Sequence, residues 1–142
     1  DHELSAQSQE AFDEDLVPLF IEEARDYLPQ IGDNLRLLSA HPNDRSVQQL
    51  VMRQLHTVKG SARMAGAMVL GERVHDMETH IESAMILSAM PLQIVESLVE
   101  DYDHVTLLFE ALQQKLEAPL ALASGDGWWR RDGRPATWRR RY

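Results

Sequence analysis

Cysteine is missing altogether, which excludes a disulfide framework, a thiolate nucleophile and a thiolate metal site. A cysteine-free chain fits the cytoplasm, and that is the expected compartment. No apolar run reaches the roughly 18 residues that a membrane-spanning helix needs, so membrane insertion is not expected. The opening DHELSAQSQEAFDED is acidic and polar, unlike a signal peptide. Cations are scarce over most of the length. Residues 1–124 hold 8 Lys/Arg against 21 Asp/Glu, a net of -13, and residues 125–142 hold 6 Arg against 2 Asp, a net of +4. A body so acidic argues against nucleic acid as a partner, because phosphate neutralisation needs clustered cations.

What is present is helical spacing. Leu16, Phe20, Ala24, Tyr27/Leu28, Ile31, Leu35 and Leu38 recur every three or four residues and mark one long face. Pro29 falls inside it, removes an amide donor, and is expected to kink or split that helix. Ser46 and Gln49 have capping-box spacing, so a second helix is expected to start there. It would bury Val47, Leu50, Val51, Leu55, Val58, Ala62 and Ala65, with Gly66 as a left-handed stop. A third helix would bury Leu70, Val74, Met77, Ile81 and Ala84/Met85. A fourth, with Pro91 in its first turn, would bury Ile94, Leu98, Tyr102, Val105, Leu108/Phe109, Leu112 and Leu116.

No stretch alternates with period two, and no hairpin-turn pair separates the elements, so strands are not expected. Short connections between long amphipathic helices predict an all-α fold, an antiparallel up-and-down four-helix bundle. The bundle is assigned to residues 13–118, after a flexible segment over 1–12. Residues 119–142 are assigned to a disordered basic tail or linker, which contains all three tryptophans and no helical period.

On the second helix Arg53, His56, Lys59, Gly60 and Arg63 follow one another at three- and four-residue steps and share a face. Two residues along a helix turn about 200°, so His56 falls away from the stripe centred on Val58 and is expected to face solvent. An imidazole there has an unprotonated, nucleophilic nitrogen near neutral pH. Lys59 and Arg63 put cations within reach of an anion on His56, and Gly60 leaves a gap for a partner. Glycine inside a helix costs about 1 kcal/mol relative to alanine, so some compensation is expected. A phosphoryl group on His56 fits these features, although a surface histidine near a lysine is also commonplace. His2, His41, His80 and His104 have no comparable setting.

The stretch HTVKGSARMAG resembles the histidine-phosphotransfer (HPt) motif, with lysine, glycine and a second glycine following the histidine at Lys59, Gly60 and Gly66. The downstream HDMETHIE resembles the matching helix in HPt domains of CheA-type chemotaxis kinases. The wording around SARMAGA is similar to modules of multi-HPt, ChpA-type kinases of type IV pilus systems. The resemblance implies that His56 accepts a phosphoryl group, that Lys59 helps hold it, and that Glu78 hydrogen-bonds the other ring nitrogen, with His75 alongside. It also implies two partners, a CheA-type kinase catalytic domain as donor and a response-regulator receiver domain as acceptor.

No cofactor and no metal site are expected. No glycine-rich phosphate loop or α/β segment is present, so the chain is not expected to bind ATP or phosphorylate unaided. Met52, Met64 and Met68 are candidates for the apolar docking surface around His56, or for ordinary packing. Two rival readings are a phosphorylation-inactive docking module and a metal-binding bundle using His56, His75 and Glu78. Few inward carboxylates speak against the metal site.

Overall fold

The computed structural model describes residues 2–124, with side chains through 116. Its described residues form five helices and no strand: α1 (His2–Ser8), α2 (Val17–Ala40), α3 (Arg45–Met64), α4 (Met68–Met85) and α5 (Leu92–Ser124). The chain divides into two compact units, 1–109 and 110–142, and the first contains α1 to α4 whole.

The long helices form where the apolar spacing calls for them. Phe20, Ala24, Leu28, Ile31, Leu35 and Leu38 of α2 are buried, as are Val51, Leu55, Val58 and Ala62 of α3. Leu70, Val74, Met77 and Ile81 of α4 join them, with Val95, Leu98, Val105 and Leu108 of α5. Leu16, Tyr27, Val47, Leu50, Met85, Ile94 and Tyr102 are only half-buried, at the rims of their stripes. Phe20 meets Phe109 edge to face, with ring centroids 6.0 Å apart. Burying a Leu or Val side chain contributes about 1.5–3 kcal/mol, so the stripe of α3 outweighs the cost of its one interior glycine.

Of the two effects expected of Pro29, the split does not occur: α2 is one element through that position. Pro29 and Arg25 lie on the exposed side, where water can satisfy the Arg25 carbonyl that the missing amide cannot. The N-cap of α3 is Asp44, not Ser46: its carboxylate accepts from the Ser46 and Val47 amides at 3.1 and 3.3 Å and from Ser46 Oγ at 2.7 Å. These bonds hold the Asp44 carboxyl below its ordinary range, the Ser46 side chain contributing most. Pro91 sits just outside α5, its carbonyl accepting from the Ile94 amide at 3.0 Å.

The segment over 1–12, expected to be flexible, contains helix α1. Gln7 is buried there and donates to the Leu108 carbonyl at 2.8 Å, while Glu3 takes two hydrogen bonds from Arg73 at 3.0 and 2.6 Å. At the other end, α5 continues to Ser124, beyond the boundary at 118. The basic tail over 125–142 lies outside the described residues.

Gly66 ends α3 at φ +86°, and the Ala67 amide reaches back to the Ala62 carbonyl at 2.8 Å. A Cβ at Gly66 would lie 2.8 Å from the Ala11 carbonyl oxygen, a backbone atom that cannot swing away. Gly66→Ala is therefore expected to destabilise the fold by about 1–3 kcal/mol, read as a lower denaturant midpoint. An unchanged midpoint would show that the Ala11 segment moves aside freely.

Candidate functional site

The site is built across α3 and α4, whose packed faces bring side chains 19 and 22 residues apart into contact. His56 lies on the solvent side of α3, with its side chain 73% exposed. Its Nδ1 is 2.9 Å from Glu78 Oε2 on α4. Glu78 is only 12% exposed, and its second oxygen, Oε1, accepts from Lys59 Nζ. Lys59 is itself only 13% exposed. One carboxylate thus bridges a half-buried ammonium and an exposed imidazole.

The electrostatics follow from this bridge. Burial pushes the Glu78 carboxyl up, but hydrogen bonds from Lys59 and His56 outweigh it and hold the group below the ordinary carboxylate range. An ionised carboxylate can only accept, so Nδ1 of the neutral ring carries the proton and Nε2 carries the lone pair. The exposed ring therefore has one nitrogen engaged and the other available as a nucleophile.

The other residues singled out in the sequence fall in different places. His75 Nδ1 is 3.7 Å from Glu78 Oε1, beyond hydrogen-bond reach, and has no hydrogen-bond partner among the described residues. Arg63 Nη2 lies 3.8 Å from Glu72 on α4. Gly60 has open space: a Cβ there would meet nothing within 4 Å. The three methionines separate. Met52 lines the groove beside His56, Met64 lies in a groove with Leu16, Leu19 and Phe20, and Met68 sits beside α1 with His2 and Ala6. Met64 and Met68 are exposed, at 68% and 52%.

Sequence reasoning placed Arg53 on the face of His56 and Glu78 beside its ring, but missed Thr57 and Glu82, which line the same groove together with Met52. It also missed a partly buried polar relay that ties α2 to α3: Asn34 donates to Gln54 at 3.0 Å, and Gln54 donates to Gln30 at 3.1 Å. Away from the site, Arg73 joins Glu3 to Asp101, and His80 stands 3.4 Å from the same Asp101. Among the described residues, no group of three or more His, Asp or Glu side chains is arranged to hold a metal ion.

An all-helical scaffold that presents an exposed imidazole, one ring nitrogen held by a carboxylate, defines a class of histidine-bearing carrier modules. The Hpt domain family model matches residues 15–118, and the chain belongs to that family as a histidine-phosphotransfer module of phosphorelay signalling. It is also similar to the chemotaxis protein CheA of Listeria monocytogenes and to that of Listeria innocua. Each is 31% identical over 67 residues, which is 47% of this chain and 11% of the relative's length. No solved structure matches the chain. No helix among the described residues is long and apolar enough to cross a membrane.

Proposed function

We propose that His56 Nε2 accepts a phosphoryl group from a CheA-type kinase catalytic domain and passes it to an aspartate of a response-regulator receiver domain. One observation carries this reading: the 2.9 Å contact between Nδ1 and a low-lying carboxylate on a ring that is otherwise open to solvent. In-line phosphoryl transfer asks mainly for positioning and charge stabilisation. Glu78 orients the ring and fixes its tautomer. Lys59 keeps Glu78 ionised and in place, His75 packs alongside, and Arg63 adds positive charge further along the face. Met52 and Met64 contribute to docking, with Met68 at its margin.

The short connections support an antiparallel up-and-down arrangement of α2 to α5. The absence of cysteine supports a cytoplasmic setting. The SARMAGA wording supports a place in a multi-HPt kinase of a type IV pilus system.

The test is a phosphotransfer assay with radiolabelled ATP and a CheA-type catalytic domain lacking its own HPt domain, supplied in trans. Label that is acid-labile and alkali-stable, and that chases onto a receiver domain, is the expected result. Absence of label with both the kinase domain and phosphorylated receivers as donors would sink the reading.

Gly60 gives a second measurement. With open space around it, Gly60→Ala is expected to raise stability by about 1 kcal/mol through helix propensity alone. The added methyl stands where an incoming partner must approach, so transfer to the receiver should slow while thermal stability rises. If both rise together, Gly60 is not a clearance for a partner.

A further inference from the structure

A phosphoryl group on His56 creates a charge problem that the pairs already in place do not solve. It adds about two negative charges at Nε2, beside Glu78 and Glu82 and in a body of net charge -13. Lys59 is the obvious counter-charge by sequence spacing, yet its ammonium is already bound to Glu78 and its side chain is only 13% exposed. Arg63 sits two turns further on and faces Glu72 at 3.8 Å.

Arg53 is different. The residue is exposed, and its guanidinium has no hydrogen-bond or ion-pair partner among the described residues; beyond the helix ladder, its carbonyl accepts from Thr57 Oγ1 at 3.1 Å. Side chains on a helix lean toward its N-terminus, and the groove that His56 lines holds Met52 and Arg53 of the preceding turn but not Lys59. Arg53 and His56 line one groove, with Glu82 and Glu78 of α4 as its acidic members. With Nδ1 engaged by Glu78, Nε2 is the ring nitrogen left available.

We infer that Arg53 is the phosphoryl-binding cation of this module, its guanidinium taking the oxygens of the group on His56 Nε2, while Lys59 is a positioning residue that acts through Glu78. The inference rests on His56 being the phosphoryl acceptor. In the step itself, the Nε2 lone pair forms the N–P bond as the donor's bond to phosphorus breaks. The donor's leaving atom keeps that electron pair, and the Nδ1 proton stays in its hydrogen bond to Glu78. The planar fork of arginine matches two phosphoryl oxygens at once, which a single ammonium does not.

Two donors separate this role from a docking role: the CheA-type catalytic domain with ATP, and the small donor phosphoramidate, which needs no protein contact. Both are applied to the full 142-residue chain. The wild type should label and His56→Gln should not. Arg53→Gln should label about five- to tenfold more slowly with either donor, the modest size reflecting an exposed and solvent-screened contact. Arg53→Lys should recover part of the rate. In 31P NMR the phosphoryl group of Arg53→Gln should titrate at higher pH than that of the wild type, because the neighbouring cation is gone.

Wild-type rates and titration in Arg53→Gln would overturn the inference. So would a defect seen only with the kinase domain, which would make Arg53 a docking contact. A wild type that labels from neither donor would instead bring down the phosphotransfer reading itself, and the role of Arg53 with it.

Discussion

Replacing His56 with glutamine is expected to abolish phosphoryl acceptance and leave the helical content where it was. Glutamine is close to imidazole in reach and can still donate to Glu78, but its amide nitrogen has no lone pair available for attack on phosphorus. The side chain is 73% exposed and fills no part of the core, so its replacement opens no cavity. Circular dichroism should superimpose on that of the wild type, and label from the kinase domain should fall to background. Persistent labelling would move the acceptor elsewhere, and His75, about 42% exposed and beside the same carboxylate, would be the next residue to replace.

Removing Glu78 is expected to slow acceptance without stopping it, and to weaken the fold at the same time. Glu78→Ala deletes the partner that fixes the tautomer and orientation of His56, and the loss of such an orienting carboxylate typically costs about 10–100-fold in activity. The nucleophile itself remains, so a slow reaction should persist. The same change leaves the ammonium of Lys59, 13% exposed, without its carboxylate, at a cost of about 1–3 kcal/mol. An unchanged labelling rate would remove Glu78 from the chemistry. An unchanged stability would show that Lys59 turns outward to water.

The stability arm has a pH signature whose sign is set by the direction of the Glu78 shift. Burial raises its carboxyl, but the bonds from Lys59 and His56 prevail and the folded value lies below the ordinary 4.5. The unfolded chain therefore binds this proton more readily than the folded one. Stability due to Glu78 is complete above the ordinary carboxylate value and is lost as pH falls through the lowered one. The gap in unfolding free energy between the wild type and Glu78→Gln should close on acidification. A gap that persists at the acid end would mean that the charge of Glu78 contributes nothing to it.

Much of this site could be read before any coordinates. The spacing of Leu55, Val58 and Ala62 puts the inner face of α3 in one direction, and His56, two residues from Val58, points another way. Gly66 at φ +86° is a stop that its residue type announces. These features are local: they depend on a 3.6-residue period and on backbone sterics within one turn, and both are written in neighbouring residues. Even local reading has competition, as at α3, where the carboxylate of Asp44 takes the amides that Ser46 was expected to cap.

The chain's composition and helical period determined by themselves that it is all-helical, that no long apolar span crosses it, and that His56 stands at the surface beside cations and a glycine. Only the tertiary structure decided which cation is free. Lys59 and Arg53 are both one turn from His56, and nothing in that spacing shows that Lys59 is held by Glu78 while Arg53 is unpaired among the described residues. It likewise decided that α1 is held by Arg73 and Gln7, and that Met52, Met64 and Met68 line three separate grooves. The reason is geometric. Contacts between helices depend on the axial offset and rotation of one helix against the next, which are set by how the whole core packs.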